Sequence, residues 1–409
     1  MFIRKIIFDL PPNLTEDSQM GLCQNVRMPT VLLEFGLKNY FCFDEGTTIS
    51  FELDKNCPDA ICRGKCFTTV LGVKGANGSG KTNILKGLSF LGWFCSESFQ
   101  YKPDDNIAVL PFFDSEEQSE LFAKFEIDGV TYIYELGVTQ SEVKREAIYR
   151  KHKKLTKILE RTNNEIVYRT SELARLDKIN LRKNVSIISS AHQYEFNELD
   201  HIYKFFNLIL SNVAFQGLRD NVLDIKEISK HLHGDAATFN FVNSLIAKCD
   251  IGISNIKIAS RKDEDGTNEY FPVFIHDHEG KKYSVSRYTE SSGTKTLYIE
   301  LPLYKAALND GGILILDEFD RHLHPHILPI LLNLFEDPIS NPKNAQLLFT
   351  THDAEILNYL GRYRTYLVNK EDNASYAYRL DEIPGDILRN DRPILPAYNE
   401  GKIGGTPKL

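Results

Sequence analysis

GANGSGKT, residues Gly75–Thr82, is the stretch that decides the fold of this 409-residue chain. It fits the phosphate-binding pattern G-x-x-x-x-G-K-[ST] at every fixed position. Glycines let the backbone N–H groups of such a loop turn toward phosphate oxygens, where a Cβ would block the approach. The pattern predicts that Lys81 reaches the β- and γ-phosphates of ATP and that the Thr82 hydroxyl binds Mg²⁺.

The segments on either side of this loop favour a nucleotide site over a glycine-rich turn that matches by chance. The β-branched, apolar run 69–73 predicts a buried strand before the loop. Residues 83–91 read as a helix after it, which places the phosphates at a helix N-terminus. The predicted ATP-binding residues are Gly75, Asn77, Gly78, Ser79, Gly80, Lys81, Thr82 and Asn83.

A second apolar run ends in two carboxylates. Residues 312–316 read as a strand buried on both faces, followed by Asp317 and Glu318. Ligands bind at the carboxyl ends of parallel strands, so we expect Asp317 to hold Mg²⁺ and Glu318 to activate the attacking water. A strand followed by a solvated acidic turn is the alternative, and the P-loop upstream disfavours it.

Another buried strand, residues 345–350, ends at His352. Its position, a strand and a helix after Asp317, suits a sensor of the γ-phosphate. From the residue type alone, a histidine at a strand end is more often a satisfied polar group.

Composition and length predict a cytoplasmic protein with a full core that is arranged as two lobes. No apolar segment approaches the about 20 residues that span a bilayer. The apolar start of the chain is too short and interrupted for a signal peptide. The seven cysteines are scattered and predict reduced thiols.

Charge is unevenly distributed around the net value of −8. Residues 144–183 contain thirteen Lys and Arg against five Asp and Glu, a local +8. A solvated helical face is the ordinary explanation of such a run. A surface for nucleic acid or for an acidic partner is the sharper alternative.

The pattern along the chain predicts an α/β P-loop NTPase with a mixed sheet, an antiparallel β subdomain and a helical insert. Strands alternate in 30–149, and Asp128-Gly129 is a strong hairpin signal. Residues 150–249 read mainly as helices, including a long candidate over 229–248. The predicted parts are an extension, 1–29, an ATPase N-lobe, 30–149, a partly basic helical insert, 150–249, and an ATPase C-lobe, 250–409.

Taken together, these motifs resemble the ABC-type ATPases of the Rad50, SMC and OLD kind. More narrowly, they resemble compact ATPases of bacterial anti-phage and abortive-infection systems, such as RloA, AbiLi and the ATPase of PARIS. The resemblance covers most of residues 30–409. It is carried by the P-loop together with LKNYFCF (37–43), ESSGTK (290–295), DE (317–318) with LHP (323–325), TH (351–352) and GKIGGTP (401–407).

The resemblance implies that Ser291, Ser292 and Gly293 are the signature motif, which contacts the γ-phosphate bound to a second subunit. A helix read over 295–307 would follow it, although an ordinary N-cap at Ser292 is the alternative. Asp320 falls in the region of the D-loop between the two sites. ATP, with Mg²⁺, would then join two chains as a homodimer or a higher even oligomer.

Three departures from the family pattern stand out. Phe41 occupies the position of an arginine in Rad50-like proteins. The glutamine of the Q-loop has no clear counterpart, and Gln100 and Gln140 are the candidates. The signature segment lacks the second glycine and the glutamine of transporter subunits, which disfavours a membrane transporter.

Two groups of residues are weak candidates for zinc ligands. The cysteines at 57, 62 and 66 do not have the spacing of a zinc knuckle. Of the histidines at 322, 324 and 326, His324 already belongs to the LHP pattern.

The leading hypothesis is a dimerising ATPase that regulates a separate effector, such as a nuclease, in a bacterial defence system. Only 57 residues follow His352, which is too few for a nuclease domain of ordinary size. A DNA-repair ATPase that clamps duplex DNA is the second hypothesis, weakly favoured by residues 144–183. A binding module that no longer hydrolyses ATP is the third, and the presence of Glu318 disfavours it.

Overall fold

The computed structural model of the protein describes residues 30–218, 224–250, 252–263, 265–385, 387–389 and 392–406. The predicted N-terminal extension, 1–29, and Pro407 of the tail motif lie outside these residues. Strands and helices are numbered in chain order within the described residues.

A six-stranded mixed sheet carries the P-loop. Its strand order is β18-β17-β3-β16-β15-β9, and only the edge pair β17–β18 is antiparallel. The strands are β3 (Val70–Gly75), β9 (Ile209–Ser211), β15 (Ile313–Leu316), β16 (Gln346–Thr350), β17 (Thr365–Glu371) and β18 (Ala374–Arg379). The central strands β3, β15 and β16 are buried along their whole length, as expected of parallel strands covered on both faces. The strands that the sequence predicted after His352 are β17 and β18.

A seven-stranded antiparallel sheet, ordered β2-β1-β4-β5-β6-β7-β8, forms the second layer. Its strands are β1 (Val31–Lys38), β2 (Thr47–Ser50), β4 (Ser119–Ile127), β5 (Val130–Val138), β6 (Val143–Lys151), β7 (Leu155–Thr162) and β8 (Glu165–Arg169). Asp128 and Gly129 both have positive φ, 49° and 79°, which is the backbone of the predicted tight hairpin.

Helix α2 (Lys81–Glu97) lies between these two sheets. Its buried residues Ile84, Leu85 and Leu88 pack in one core with Leu37 of β1 and Leu71 of β3. This packing fixes the start of the helix, and with it the P-loop, against both sheets. Helices α3 (Ile187–Gln193) and α4 (Asp200–Asn207), and the short ribbon β10 (Val213–Ala214) and β11 (Gly217–Leu218), complete this side. The short helix α1 (Asp59–Cys62) has no buried residue.

A second core covers the opposite face of the mixed sheet. It includes a three-stranded antiparallel sheet, β12 (Ile253–Lys262), β13 (Asn268–His278) and β14 (Lys281–Ser286). The helices on this side are α5 (Ile225–Gly234), α6 (Ala236–Cys249), α7 (Ser292–Asp310), α8 (Leu328–Glu336) and α9 (Ile356–Leu360). Helix α10 (Leu395–Asn399) packs in a separate small core with α9 and β17.

Two details of the predicted helical insert are wrong. The stretch that follows residue 150 begins with β7 and β8, because these residues extend the antiparallel sheet beyond β6. The long helix expected over 229–248 is two helices, α5 and α6. They are separated at Asp235, whose carboxylate accepts hydrogen bonds from the N–H groups of Ala237 and Thr238 and so starts a new helix.

Candidate functional site

The P-loop joins the carboxyl end of β3 to the first turn of α2. Gly78 and Gly80 have φ of 74° and 113°, in the left-handed region that glycine adopts without strain. A Cβ on Gly80 would lie 2.7 Å from Cys42 Sγ and 2.9 Å from Ser375 Oγ. Glycine is therefore required at position 80 both by the backbone and by the space available.

Polar groups inside the loop fit an anionic ligand. Ser79 Oγ is buried and has no hydrogen-bond partner among the described residues. Lys81 Nζ donates to the backbone carbonyls of Gly75, at 2.9 Å, and Ala76, at 3.1 Å. Burial lowers the pKa of the Lys81 ammonium, and nearby carboxylates oppose this shift. A phosphate would satisfy the Ser79 hydroxyl and pair with the ammonium.

The predicted metal ligands lie side by side. Thr82 Oγ1 donates to Asp317 Oδ2 at 2.8 Å, and Thr350 Oγ1 donates to Asp317 Oδ1 at 2.5 Å. Asp317 is the first residue after β15, and its neighbour in the sheet, β16, ends with Thr350. Hydroxyl and carboxylate oxygens are ligands that Mg²⁺ prefers, so this donor set fits the ion.

Glu318 follows Asp317 with φ of 51°, a left-handed conformation that costs a non-glycine residue about 1–3 kcal/mol. Its N–H donates to Thr350 Oγ1 at 2.8 Å, so the same hydroxyl orients both carboxylate residues. The Glu318 side chain is partly exposed at the carboxyl end of the sheet. It lies where a base could reach a water molecule beside the metal ligands.

Asp320 and His352 are brought together. Both carboxylate oxygens of Asp320 accept a hydrogen bond from the His352 N–H at 3.1 Å, and Oδ2 also accepts one from the Asp353 N–H at 3.0 Å. The His352 side chain is exposed. The backbone at 352–353 is therefore fixed by Asp320, and the imidazole projects from a fixed base.

The predicted signature residues, Ser291, Ser292 and Gly293, lie at the N-terminus of α7. The hydrogen bonds of the Ser291 hydroxyl stay within the first turn of this helix. The N-cap is Ser291 and not Ser292, because Ser291 Oγ accepts from the Thr294 N–H at 3.1 Å. Thr294 Oγ1 in turn donates to Asp250 at 2.7 Å. Ser291 and Ser292 are exposed. A Cβ on Gly293 would lie 2.6 Å from the His322 carbonyl oxygen, so glycine lets this turn approach the segment that follows Asp320.

A lysine takes a place beside the residue that departs from the family pattern. Lys86, one helical turn after Thr82, places its ammonium 4.2 Å from the ring centroid of Phe41. The Phe41 ring also contacts Phe215, with ring centroids 5.4 Å apart. Burial lowers the pKa of Lys86, and Asp317 opposes the shift. The Lys86 ammonium therefore lies beside position 41, where Rad50-like proteins have an arginine, but this lysine belongs to α2.

Neither candidate for the Q-loop glutamine lies at the site. Gln100 is in a 3₁₀ turn after the last residue of α2, which is about 25 Å of helix from the P-loop. Gln140 is in the turn between β5 and β6, where its carbonyl accepts from the Ile107 N–H.

Asn212 is a site residue that the sequence did not reveal. Its side chain accepts from the Asp317 N–H at 2.8 Å and donates to the Asp317 carbonyl at 3.2 Å. It follows β9, the edge strand that pairs with β15. A buried asparagine at the end of an apolar strand was the available signal, but only the strand order gives its partner.

The weak zinc candidates do not form a cluster. Within the described residues, no group of three or more His, Cys, Asp or Glu side chains could hold a metal ion. His324 Nδ1 accepts from the His326 N–H, as the N-cap of a 3₁₀ turn. Cysteines 57, 62 and 66 are free.

Seven of the thirteen cations in 144–183 form ion pairs, some within the antiparallel sheet and some with the segments beside it. The ion pairs are Lys144–Glu142, Arg145–Glu135, Arg145–Glu160, Arg150–Glu172, Lys157–Glu160, Arg161–Glu146, Arg169–Asp177 and Arg175–Glu198. The turn between β6 and β7 differs, since Lys151, His152, Lys153 and Lys154 are all exposed. We call residues 151–154 the basic hairpin tip.

The sheet order, the P-loop and the Thr82–Asp317 contact define a P-loop ATPase with a mixed α/β fold. The chain belongs to the family described as "AAA domain, putative AbiEii toxin, Type IV TA system", whose model matches residues 70–358. That match contains the P-loop, the signature residues, the Asp317-Glu318 pair and His352.

Among solved structures, the chain is similar to an SMC head domain from Thermotoga maritima. The two are 16% identical, with a TM-score of 0.41, and the match covers 85% of this chain and 98% of that chain. None of the curated proteins compared with the chain matches it. Among the described residues, no helix combines the length and apolar composition that crossing a membrane requires.

Proposed function

We propose that the protein hydrolyses ATP and that ATP switches it between separate chains and a dimer. The observation that carries this proposal is the Thr82–Asp317 hydrogen bond of 2.8 Å, with Glu318 next to it. A hydroxyl and a carboxylate at this distance can share one Mg²⁺, and a second carboxylate at the same strand end can act on water.

In this proposal, the residues of the P-loop and of the neighbouring strand ends have separate roles. The N–H groups of the loop and the start of α2 bind phosphate oxygens, and Lys81 neutralises their charge. Thr82 and Asp317 hold Mg²⁺, which neutralises charge on the phosphates when it is bound. Glu318 orients the attacking water and accepts its proton, while His352 faces the γ-phosphate.

The second chain enters through the signature residues. Ser291 and Ser292 are exposed at the N-terminus of the 19-residue helix α7, where free N–H groups favour an anion. Their hydrogen bonds stay within the first turn of α7 and do not reach the P-loop. This arrangement suits contact with a γ-phosphate held by another copy, as the resemblance to ABC-type ATPases implies.

The biological role that we propose is regulation of a separate effector, such as a nuclease, in a bacterial anti-phage system. Two things support it: the resemblance of the motifs to abortive-infection ATPases, and a family whose description names a toxin of a type IV toxin–antitoxin system. The alternative is an ATPase of DNA repair that clamps duplex DNA.

One observation favours contact with nucleic acid in either role. Lys151, Lys153 and Lys154 of the basic hairpin tip are exposed, in contrast to the paired cations on the strands. Arg145 of β6 pairs with Gly137 of β5, and the pairing continues through β4 to the last residue of β1. Arg145 therefore lies at the end of the sheet where β1 leads into the turn that packs on the P-loop. The tip is six residues further along β6, about 20 Å away, and so is separate from the ATP site.

The variant Glu318→Gln tests the central proposal. We expect ATP binding to persist, turnover to fall by about 10²-fold or more, and an ATP-dependent dimer to accumulate in size-exclusion chromatography with light scattering. The matched control is Glu355→Gln, which changes an exposed carboxylate in the turn that follows β16. Unchanged turnover in Glu318→Gln would contradict the assignment of the base. A monomer at saturating ATP would contradict the switch.

A further inference from the structure

The C-terminal segment, which we define as residues 392–406, packs against the elements that surround His352. Ile394, Tyr398 and Ile403 share a small core with Leu357 of α9 and Leu367 of β17. Helix α9 begins four residues after His352. The C-terminal segment therefore contacts the helix that follows His352 in the chain.

Hydrogen bonds hold this segment at both of its ends. At the first end, Asn358 Oδ1 accepts from the N–H groups of Ile394, at 2.8 Å, and Leu395, at 3.1 Å. At the second end, the Gly405 N–H donates to Asn369 Oδ1 at 2.7 Å. Tyr378 of β18 donates its hydroxyl to the Ile403 carbonyl at 2.6 Å. The segment is therefore attached to α9 and to the β17–β18 pair independently.

A buried lysine joins this segment directly to His352. Lys74, the residue before Gly75 of the P-loop, is 4% exposed. Its Nζ donates to the His352 carbonyl at 2.8 Å and lies 5.2 Å from the ring centroid of Tyr398. Because the His352 N–H is held by Asp320, both sides of the His352 backbone have a fixed partner.

We propose that Lys74 and Tyr398 are positioning residues, which hold His352 and make its place depend on the docked C-terminal segment. The proposal rests on the proposed role of His352 at the γ-phosphate. Tyr398 covers the ammonium, and its hydroxyl donates to the Gly405 carbonyl at 3.0 Å, so one side chain links Lys74 to the second anchor of the segment. Displacing the segment exposes Lys74 to water and frees the His352 carbonyl.

The charge on Lys74 gives a readout that a purely structural contact would not give. Burial lowers the pKa of Lys74 to about 8, with Lys81 adding to the shift and Asp320 and Asp353 opposing it. The ammonium that faces the Tyr398 ring is thus present below about pH 8 and lost above it. Turnover of the wild-type protein should decrease as the pH rises through this value.

Lys74→Met removes the charge and the donor, and Lys74→Arg keeps both. We expect Lys74→Met to lower kcat about ten- to a hundredfold with little change in KM, because His352 is misplaced and the triphosphate is still bound. Its alkaline decline in turnover should disappear, whereas Lys74→Arg should retain most activity without that decline. Lys370→Met, an exposed lysine on β17, is the matched control.

Hydrogen exchange of the nucleotide-free protein tests the link between Lys74 and the C-terminal segment without a measurement of turnover. Lys74→Met and Tyr398→Leu should both speed exchange of the amides in residues 394–405, and Tyr398→Phe, which keeps the ring, should do so less. The double variant Lys74→Met/Tyr398→Leu should lose little more activity than either single variant. Wild-type kcat and pH profile in Lys74→Met, or additive losses in the double variant, would overturn the proposal. The proposed function is tested separately by Glu318→Gln. If that variant is inactive in the same assays, failure of the Lys74 proposal leaves the proposed function intact.

Discussion

The Thr82 hydroxyl donates a hydrogen bond to Asp317 Oδ2 at 2.8 Å, although 235 positions separate the two residues. The other carboxylate oxygen accepts from Thr350 Oγ1, so two hydroxyls from neighbouring elements orient one carboxylate. The backbone of Asp317 is fixed as well, through two hydrogen bonds with Asn212. The carboxylate is therefore preorganised before a metal ion binds, which reduces the ordering that binding requires.

Thr350→Val is expected to loosen this arrangement with little change in shape. It leaves Asp317 Oδ1 and the Glu318 N–H without a partner, at a cost of about 1–3 kcal/mol in unfolding free energy. Turnover should fall about tenfold or more, because both carboxylates lose a common anchor. Thr365→Val is the control, since its hydroxyl is also buried but donates to Gly361, away from the site. Equal turnover in the two variants would contradict this role of Thr350.

The strands and loops that carry the predicted ATP-site residues could be read from the sequence because their signals are local. Each of the P-loop, the Asp317-Glu318 pair and the histidine at 352 follows a short apolar strand, and a strand is readable from its own residues. Thr350 and Asn212 could not be assigned in this way. Their roles depend on the order of β9, β15 and β16 in the sheet, and no pattern within a segment gives that order.

Residues 144–183 show the opposite case, in which a local signal was misleading. Thirteen cations in one stretch favoured a solvated helical face, with a surface for nucleic acid or an acidic partner as the alternative. The structure instead places many of them on adjacent strands, where the register sets Arg145 beside Glu135 and Glu160. Strand register is a long-range property, so the sequence could not show which cations remain unpaired.

Glu146→Gln should cause a large loss of stability. Glu146 and Arg161 are both fully buried, and Nη1 of Arg161 lies 3.3 Å from Glu146 Oε2. The same carboxylate accepts from Tyr134, Ser186 and Ile187. Removing its charge leaves the guanidinium buried without a counterion, which costs about 3–5 kcal/mol in unfolding free energy.

Urea unfolding of Glu142→Gln provides the comparison. The ion pair of Glu142 with Lys144 is partly exposed, and such pairs contribute about 0–1 kcal/mol. A loss for Glu146→Gln as small as that for Glu142→Gln would contradict a buried, charged pair at this position.

Stability should decrease as the pH rises from about 4.5 to about 7, because of Glu300. Burial of this carboxyl on the signature helix α7 raises its pKa from 4.5 to about 7, and Arg321 opposes the shift. The folded state then binds a proton that the unfolded state has released, so the contribution is fully present below pH 4.5 and is lost by about pH 7. Its size is at most about 3 kcal/mol.

Glu300→Gln should remove this part of the pH dependence. The measurement is the free energy of unfolding in urea at pH 5 and pH 7.5 for the wild type, Glu300→Gln and the exposed control Glu355→Gln. The difference between the two pH values should shrink in Glu300→Gln alone. An identical pH dependence in all three proteins would show that Glu300 titrates in its ordinary range.

Charge reversal of the basic hairpin tip should weaken binding to duplex DNA. In Lys151→Glu/Lys153→Glu/Lys154→Glu, three exposed cations are replaced on a turn that lies away from the P-loop. Each lost phosphate contact makes the plot of log K against log salt concentration shallower by about 0.9, so the slope should change by up to about 3. ATP turnover without DNA should stay at the wild-type value, because the tip does not contact the site.

The matched control is Lys262→Glu/Lys281→Glu/Lys282→Glu, which reverses three exposed lysines on the three-stranded sheet. Both variants change the net charge equally, so a loss of affinity confined to the tip variant separates a local surface from a general charge effect. DNA affinity that is equal in the tip variant, the control and the wild type at low salt would exclude the tip as a DNA surface. In that case, the exposed lysines favour an acidic protein partner, and its binding can be measured with the same two variants.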